Sequence, residues 1–184
     1  MTFINPTLKA LRQKKIILYP TDTVWGIGGD ATDPDVVQQI YQLKQRADHK
    51  ALIALVSSLD MLGNYMDKIP DTAQKYLQDE RPTTLVYPNA KGIATNLMGA
   101  DQSMGFRIPK NDFCLELIRS FGKPLISTSA NISGLPTPKN FKSIDQRILE
   151  GVDYIVPLKD QNINQIPSQV IKIDPDGGIQ ILRA

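Results

Sequence analysis

Two stretches of this chain set short hydroxyl and amide side chains directly after an apolar run. In residues 123–136 (KPLISTSANISGLP) the apolar Pro124-Leu125-Ile126 passes without transition into Ser127, Thr128, Ser129 and Asn131, and Gly134 then offers a sharp turn away. In PTDTVWGIGGDATD, which follows Ile16-Ile17-Leu18-Tyr19, the same position is taken by Thr21, Asp22 and Thr23. Apolar runs of this length read as buried strands, and in an open α/β sheet the crevice beyond strand ends is where ligands bind. Two such ends side by side would form one pocket. The alternative for each residue singly is an ordinary turn in which hydroxyls cap backbone groups.

A third group is basic. Lys44, Arg46, His49 and Lys50 fall within seven residues, between a helical pattern and the apolar run 51–56, so buried elements deliver them to a defined place. Arginine offers a planar fork and lysine a point charge, a pair suited to polyphosphate. A solvated charged face is the plainer reading. Arg107 lies between Phe106 and Ile108; it either projects to solvent by alternation or meets an anion or an acid in the pocket, since burial without a partner is costly. The glycines at 26, 28 and 29 match neither the dinucleotide fingerprint nor the P-loop, and read as close packing with positive φ in a turn.

These residues need a scaffold, and the periodicities supply one. Helices are expected over 7–15, over 34–44 with Asp33 or Asp35 as cap, over 59–65 and 71–80 on one sheet face, over 113–121 behind Asn111 or Asp112 with Gly122 as the stop, and over 143–150. Strands are expected at 16–19, 51–56, 83–87, 103–109, 124–126, 154–156, and as a terminal pair, 170–173 and 179–182, turning at Asp176-Gly177-Gly178. Residues 91–100 read as a loop with one helical turn, and Trp25 as a core aromatic or a pocket wall. Ile166-Pro167-Ser168-Gln169 is a third hydroxyl-bearing turn beside a strand.

Composition narrows the chemistry. The 184 residues suit one domain, 1–184, and no apolar run approaches a membrane span. The first residues lack a signal-peptide pattern, so a cytoplasmic location is expected. One histidine excludes a multi-histidine metal site, and the single Cys114 excludes an internal disulfide and reads as core packing. A net charge of +2 does not by itself argue for nucleic acid.

The motifs PTDTVWGIGGDA, KQR followed by HKAL, RPTTLVYP, GFRIP, GKPLISTSANISGLP and IPSQVI, in this order, resemble the YrdC/TsaC family of threonylcarbamoyl-AMP synthases. The resemblance runs from about Ile16 to Arg183. It implies an α/β fold, a twisted open mixed sheet with helices on its faces around a basic concave cavity. It further implies a nucleotidyltransferase acting on L-threonine, bicarbonate and ATP with Mg²⁺, whose product serves tRNA modification through partner proteins. Carried across residue by residue, Lys44 and Arg46 would meet the ATP phosphates. Ser129 and Asn131 would lie near the nucleotide, with Ser168 and Arg183. Thr21, Thr23, Lys50, Arg107 and Thr128 would serve threonine and carbamate, and Lys44, Arg46, Lys50 and Arg107 would stabilise the developing charge.

Two departures from the family pattern stand out. Arg81-Pro82 replaces a frequent Gly-Pro, bringing a bulky cation where backbone would approach the ligand. Leu55 stands where longer relatives carry a histidine. No general base is evident. A non-catalytic RNA-binding or ribosome-maturation factor, using the same cations on tRNA or double-stranded RNA phosphates, is the competing class. A carbamoyltransferase with cysteine-rich zinc segments fits poorly with one cysteine.

Overall fold

The computed structural model describes residues 3–46, 52–78, 81–158, 167–174 and 176–183. Among these the elements run α1 (Ile4–Arg12), β1 (Ile17–Pro20), β2 (Trp25–Gly28), α2 (Pro34–Lys44), β3 (Ile53–Leu55), α3 (Leu59–Gly63), α4 (Asp71–Gln78), β4 (Thr83–Tyr87), β5 (Met104–Arg107), α5 (Asp112–Phe121), β6 (Leu125–Ser129), α6 (Gln146–Gly151), β7 (Tyr154–Ile155), β8 (Gln169–Ile173) and β9 (Ile179–Arg183). The described strands form one mixed sheet in the order β7-β1-β2-β6-β3-β5-β4-β8-β9. Pairs β1/β7, β3/β5 and β4/β8 are parallel, and the remaining neighbours are antiparallel.

Side-chain alternation divides the core between the two sheet faces. Leu18, Ala54 and Ile126 join the cluster that packs under α2 with Val36, Val37, Ile40 and Tyr41; Leu62 of α3 and Ala73 and Leu77 of α4 belong to the same cluster. Their neighbours Ile17, Tyr19, Leu55 and Leu125 point the other way, against Leu8 and Leu11 of α1 and Phe113, Cys114, Leu117 and Ile118 of α5. The α1–α5 layer covers β1, β6 and β3 on that second face. Beyond it the same face turns polar: on β4 Thr84 and Val86 line a cavity while Leu85 and Tyr87 enter the first core, and on β5 Gly105 and Arg107 do so while Met104 and Phe106 are core.

Helix ends follow local chemistry. Asp33 caps α2 through the N–H groups of Asp35 and Val36, and Asn111 caps α5 through Cys114. Helix α1 lies three residues earlier than expected, Ile4 to Arg12, because the chain reverses at Lys14, whose φ is 60°.

Two expectations are corrected. First, β6 does not stop at Ile126: Ser127 pairs with Ile53, Thr128 with Ile27 and Ser129 with Gly26, so the hydroxyl residues belong to a central strand. Second, residues 25–28 form β2, paired antiparallel with β1 across a hairpin, and the glycines at 26, 28 and 29 show no positive φ. Close packing is what they provide. A Cβ on Gly28 would lie 2.6 Å from the Tyr19 ring and 2.8 Å from the Ile126 carbonyl, and one on Gly29 would strike Val36. Gly134, by contrast, has φ of 86° and turns the chain away as expected. Helix α6 covers Gln146–Gly151 behind Asp145 as its cap, and Ser143, the first residue of the span expected to be helical, instead ends a 3₁₀ turn over Phe141–Ser143.

Candidate functional site

The cavity has a volume of about 410 Å³, within the range of small-ligand sites. Residues from β2, β6, β3, β5, β4, β8 and β9 line it. Seven adjacent strands can face one volume only if the sheet curls around it, as twisted sheets do. Arg46, Arg107 and Arg183 stand on its wall with hydroxyls from Thr21, Thr23, Thr84, Ser127, Thr128, Ser129 and Ser168; no carboxylate is among the described lining residues.

Arg107 is 3% exposed, and its Nη2 donates to Asp22 Oδ1 at 3.1 Å while Nη1 donates to Thr23 Oγ1 at 3.0 Å. Asp22 also accepts the Lys110 N–H at 3.2 Å. Arg107 therefore does not project to solvent by alternation: it lines the cavity and pairs with an acid there. Its Nε is buried and finds no acceptor among the described residues. Thr21 completes the β1–β2 turn, its Oγ1 donating to the Val24 carbonyl at 2.7 Å and sharing a hydrogen bond with Thr23.

On the opposite wall the Thr84 and Ser168 hydroxyls lie 2.8 Å apart. Arg183 holds the Ser168 carbonyl by Nε at 3.0 Å and Nη2 at 2.6 Å. Burial, and then repulsion by the Arg107 cation, lower the pKa of Arg183. Burial does the same to Arg46. The repulsion between Arg107 and Arg183 is of the kind that a bound anion relieves.

The residues expected at the site divide into three groups. Thr21, Thr23, Arg46, Arg107, Thr128, Ser129, Ser168 and Arg183 share the cavity wall. Lys44 and Asn131 are not among the lining residues. Lys44 is 1% exposed, and its ammonium donates to the carbonyls of Ser129 and Asn131 instead of opening to the cavity. Its pKa is pulled down to about 7, first by burial and then by Arg46. The Asn131 amide is spent on its own turn: Nδ2 donates to the carbonyls of Leu135 at 2.7 Å and Ile132 at 3.0 Å, and Oδ1 accepts from Ser129 Oγ. Lys50 and His49 lie outside the described residues.

Arg81 is exposed and not among the lining residues, so the Arg-Pro departure brings no cation onto the wall. Leu55 is buried in the α1–α5 layer. Trp25 is a core aromatic, tilted against Phe141 with ring centroids 5.1 Å apart, and Cys114 is buried.

The strand-end clusters in the sequence include Ser127, which lines the cavity, and Asp22, which supports it through Arg107, although the family resemblance gives neither a role; Thr84 on the wall was not expected there. The alternation in TTLVY was the available signal for Thr84. Nothing local indicates that Asp22 would meet Arg107, 85 residues away. Among the described residues no group of three or more His, Cys, Asp or Glu side chains could hold a metal ion, and no helix is long and apolar enough to cross a membrane.

Comparison with known proteins agrees with this architecture. The Sua5/YciO/YrdC family model, described as "Telomere recombination", matches residues 9–184. A threonylcarbamoyl-AMP synthase from Vibrio parahaemolyticus is 33% identical over 152 residues, 80% of this chain and 82% of that protein. The crystal structure of P. abyssi Sua5 complexed with L-threonine superposes with a TM-score of 0.85 and 27% identity over 92% of this chain. This chain spans 50% of that longer protein. E. coli YciO, at 24% identity, shares the fold with a TM-score of 0.84 over 99% of this chain and 88% of its own.

Proposed function

Because the chain belongs to the Sua5/YciO/YrdC family, we propose that it is a threonylcarbamoyl-AMP synthase, joining L-threonine, bicarbonate and ATP and releasing pyrophosphate. The observation that carries this reading is the wall itself: Arg46, Arg107 and Arg183 converge with a row of hydroxyls and no described carboxylate on one small cavity. That is a receptor for a compact, multiply charged anion.

The chemistry suits such a site. The threonine amine and bicarbonate give a carbamate and water, and a carbamate oxygen attacks the α-phosphorus of ATP as the bond to pyrophosphate breaks. Both partners are anions, so positioning and neutralisation lower the barrier more than any covalent nucleophile would. Arg46 and Arg183 are assigned to phosphate oxygens. Arg107, fixed by Asp22 and Thr23, is assigned to the carboxylate or carbamate. Thr21, Thr23, Thr128, Ser129, Ser168 and Thr84 offer neutral hydrogen bonds to substrate oxygens. Lys50 remains a proposed contributor. Mg²⁺ would arrive on the triphosphate as part of the substrate, which matches a donor set of cations and hydroxyls.

The product would pass to partner proteins that modify tRNA. A purely RNA-binding role suits the geometry less, because the three arginines face a cavity sized for a small molecule. The test is mass spectrometry of the product formed from ¹³C-bicarbonate. An adenylate carrying one ¹³C and one threonine is expected; adenylate formation without incorporated carbon would overturn the proposal.

A further inference from the structure

The spacing Lys44-Gln45-Arg46 presents two cations that a sequence reading treats as one phosphate clamp. The fold gives them different surroundings. Helix α2 ends in a Schellman-type cap: the Arg46 N–H bonds the Tyr41 carbonyl at 3.0 Å, the Gln45 N–H bonds the Gln42 carbonyl at 3.0 Å, and Gln45 takes the left-handed conformation with φ of 50°. That reversal carries Arg46 to the cavity wall. Lys44, the last helical residue, stays on the other side of the cap, 1% exposed.

There it is tied to the chain leaving β6 at three points. Its Nζ donates to the carbonyls of Ser129 and Asn131, the latter at 2.7 Å, and its own carbonyl accepts the Ser133 N–H at 2.8 Å. The Ser129 carbonyl also accepts the Asn131 N–H at 2.9 Å, so the ammonium adds a second donor there and supplies one to the Asn131 carbonyl, drawing both to the end of α2. Ser129 Oγ, on the cavity wall, is held through the same turn by Asn131 Oδ1.

We infer that Lys44 is a positioning residue: it locks the capped end of α2 to the turn over residues 129–133, so that Arg46 and Ser129 meet the ligand in fixed register, and it does not itself contact the phosphates. This inference rests on the reading of the cavity as a nucleotide site.

The test compares Lys44→Met with Arg46→Met, using pyrophosphate binding by calorimetry, kcat for adenylate formation, and amide exchange at residues 131–133. Lys44→Met is expected to keep pyrophosphate affinity within threefold, to lose at least tenfold in kcat, and to exchange those amides at least tenfold faster. Arg46→Met is expected to lose at least tenfold in affinity with exchange unchanged. Lys44→Met losing affinity as Arg46→Met does, with wild-type exchange, would overturn the inference. Should the wild type bind neither pyrophosphate nor ATP, the nucleotide reading falls, while exchange still decides whether Lys44 holds the turn. If Lys44→Met fails to fold, acetic anhydride labelling of the wild type decides: Lys44 unmodified with and without pyrophosphate is expected, and labelling that pyrophosphate suppresses would overturn it.

Discussion

Replacing Asp22 by Asn is the sharpest test of how the cavity is built. Asp22 and Arg107 are each 3% exposed and lie 3.1 Å apart, so neither charge is shared with water. Asparagine keeps the shape and leaves Oδ1 able to accept one N–H, but it removes the charge that compensates Arg107. Breaking one side of a buried pair typically costs about 3–5 kcal/mol, because the remaining charge is stranded. The retained acceptor places the expected loss at the lower end, about 3 kcal/mol. For a chain of this size that corresponds to a Tm lower by about 6–12 °C. The assay is thermal unfolding monitored by circular dichroism, with Arg107→Met and the double variant measured alongside. The double variant is expected to lose less than the sum of the two single variants, since neither charge is then left stranded. A drop under about 1 kcal/mol for Asp22→Asn, the range of an exposed pair, would refute the buried geometry and with it the claim that Arg107 is fixed for substrate.

Three further outcomes are expected. Arg46→Ala should lower kcat/KM for ATP by about a hundredfold, near 2.7 kcal/mol of transition-state stabilisation, with Tm almost unchanged because the side chain is only half-buried; initial rates over a range of ATP concentration check this. Lys44, whose pKa falls from 10.5 to about 7 on folding through burial and the Arg46 cation, makes the unfolded chain bind more protons between those values. Its contribution to stability should therefore rise with pH from 7 to 10.5, by up to about 1.4 kcal/mol per pH unit, and Lys44→Met should flatten that part of a urea-denaturation pH profile. Gly28→Ala should destabilise by about 1–3 kcal/mol, because the added Cβ meets the Ile126 carbonyl at 2.8 Å, and backbone in a central strand cannot yield cheaply; chemical denaturation measures it.

How far the sequence announced this site depends on which interactions are local. The order of strands and helices was readable wherever period and caps agreed, as in α2 over Pro34–Lys44, with Asp33 before it, and β4 over Thr83–Tyr87. Strand β2 was not, because Trp25-Gly26-Ile27-Gly28 carries two glycines where a strand pattern wants side chains, and its existence follows from the hairpin with β1 and the close approach of Tyr19. The hydroxyls after Ile126 announced a binding surface but not their conformation, since Ser and Thr serve strands and turns alike. The basic run announced cations. Which of them faces the ligand depends on the left-handed turn at Gln45, where glutamine gives no warning of the kind a glycine would. The pairs Asp22 with Arg107 and Thr84 with Ser168 join distant segments, and only the folded sheet brings them together.

The central claim, that this cavity brings threonine, bicarbonate and ATP together for one transfer, is tested most directly by pyrophosphate release from ATP, with threonine and bicarbonate omitted in turn. Release that requires both, and that falls steeply in Arg107→Met, is the expected result. Release that persists without either co-substrate, or ATP binding with no release when all three are present, would contradict it.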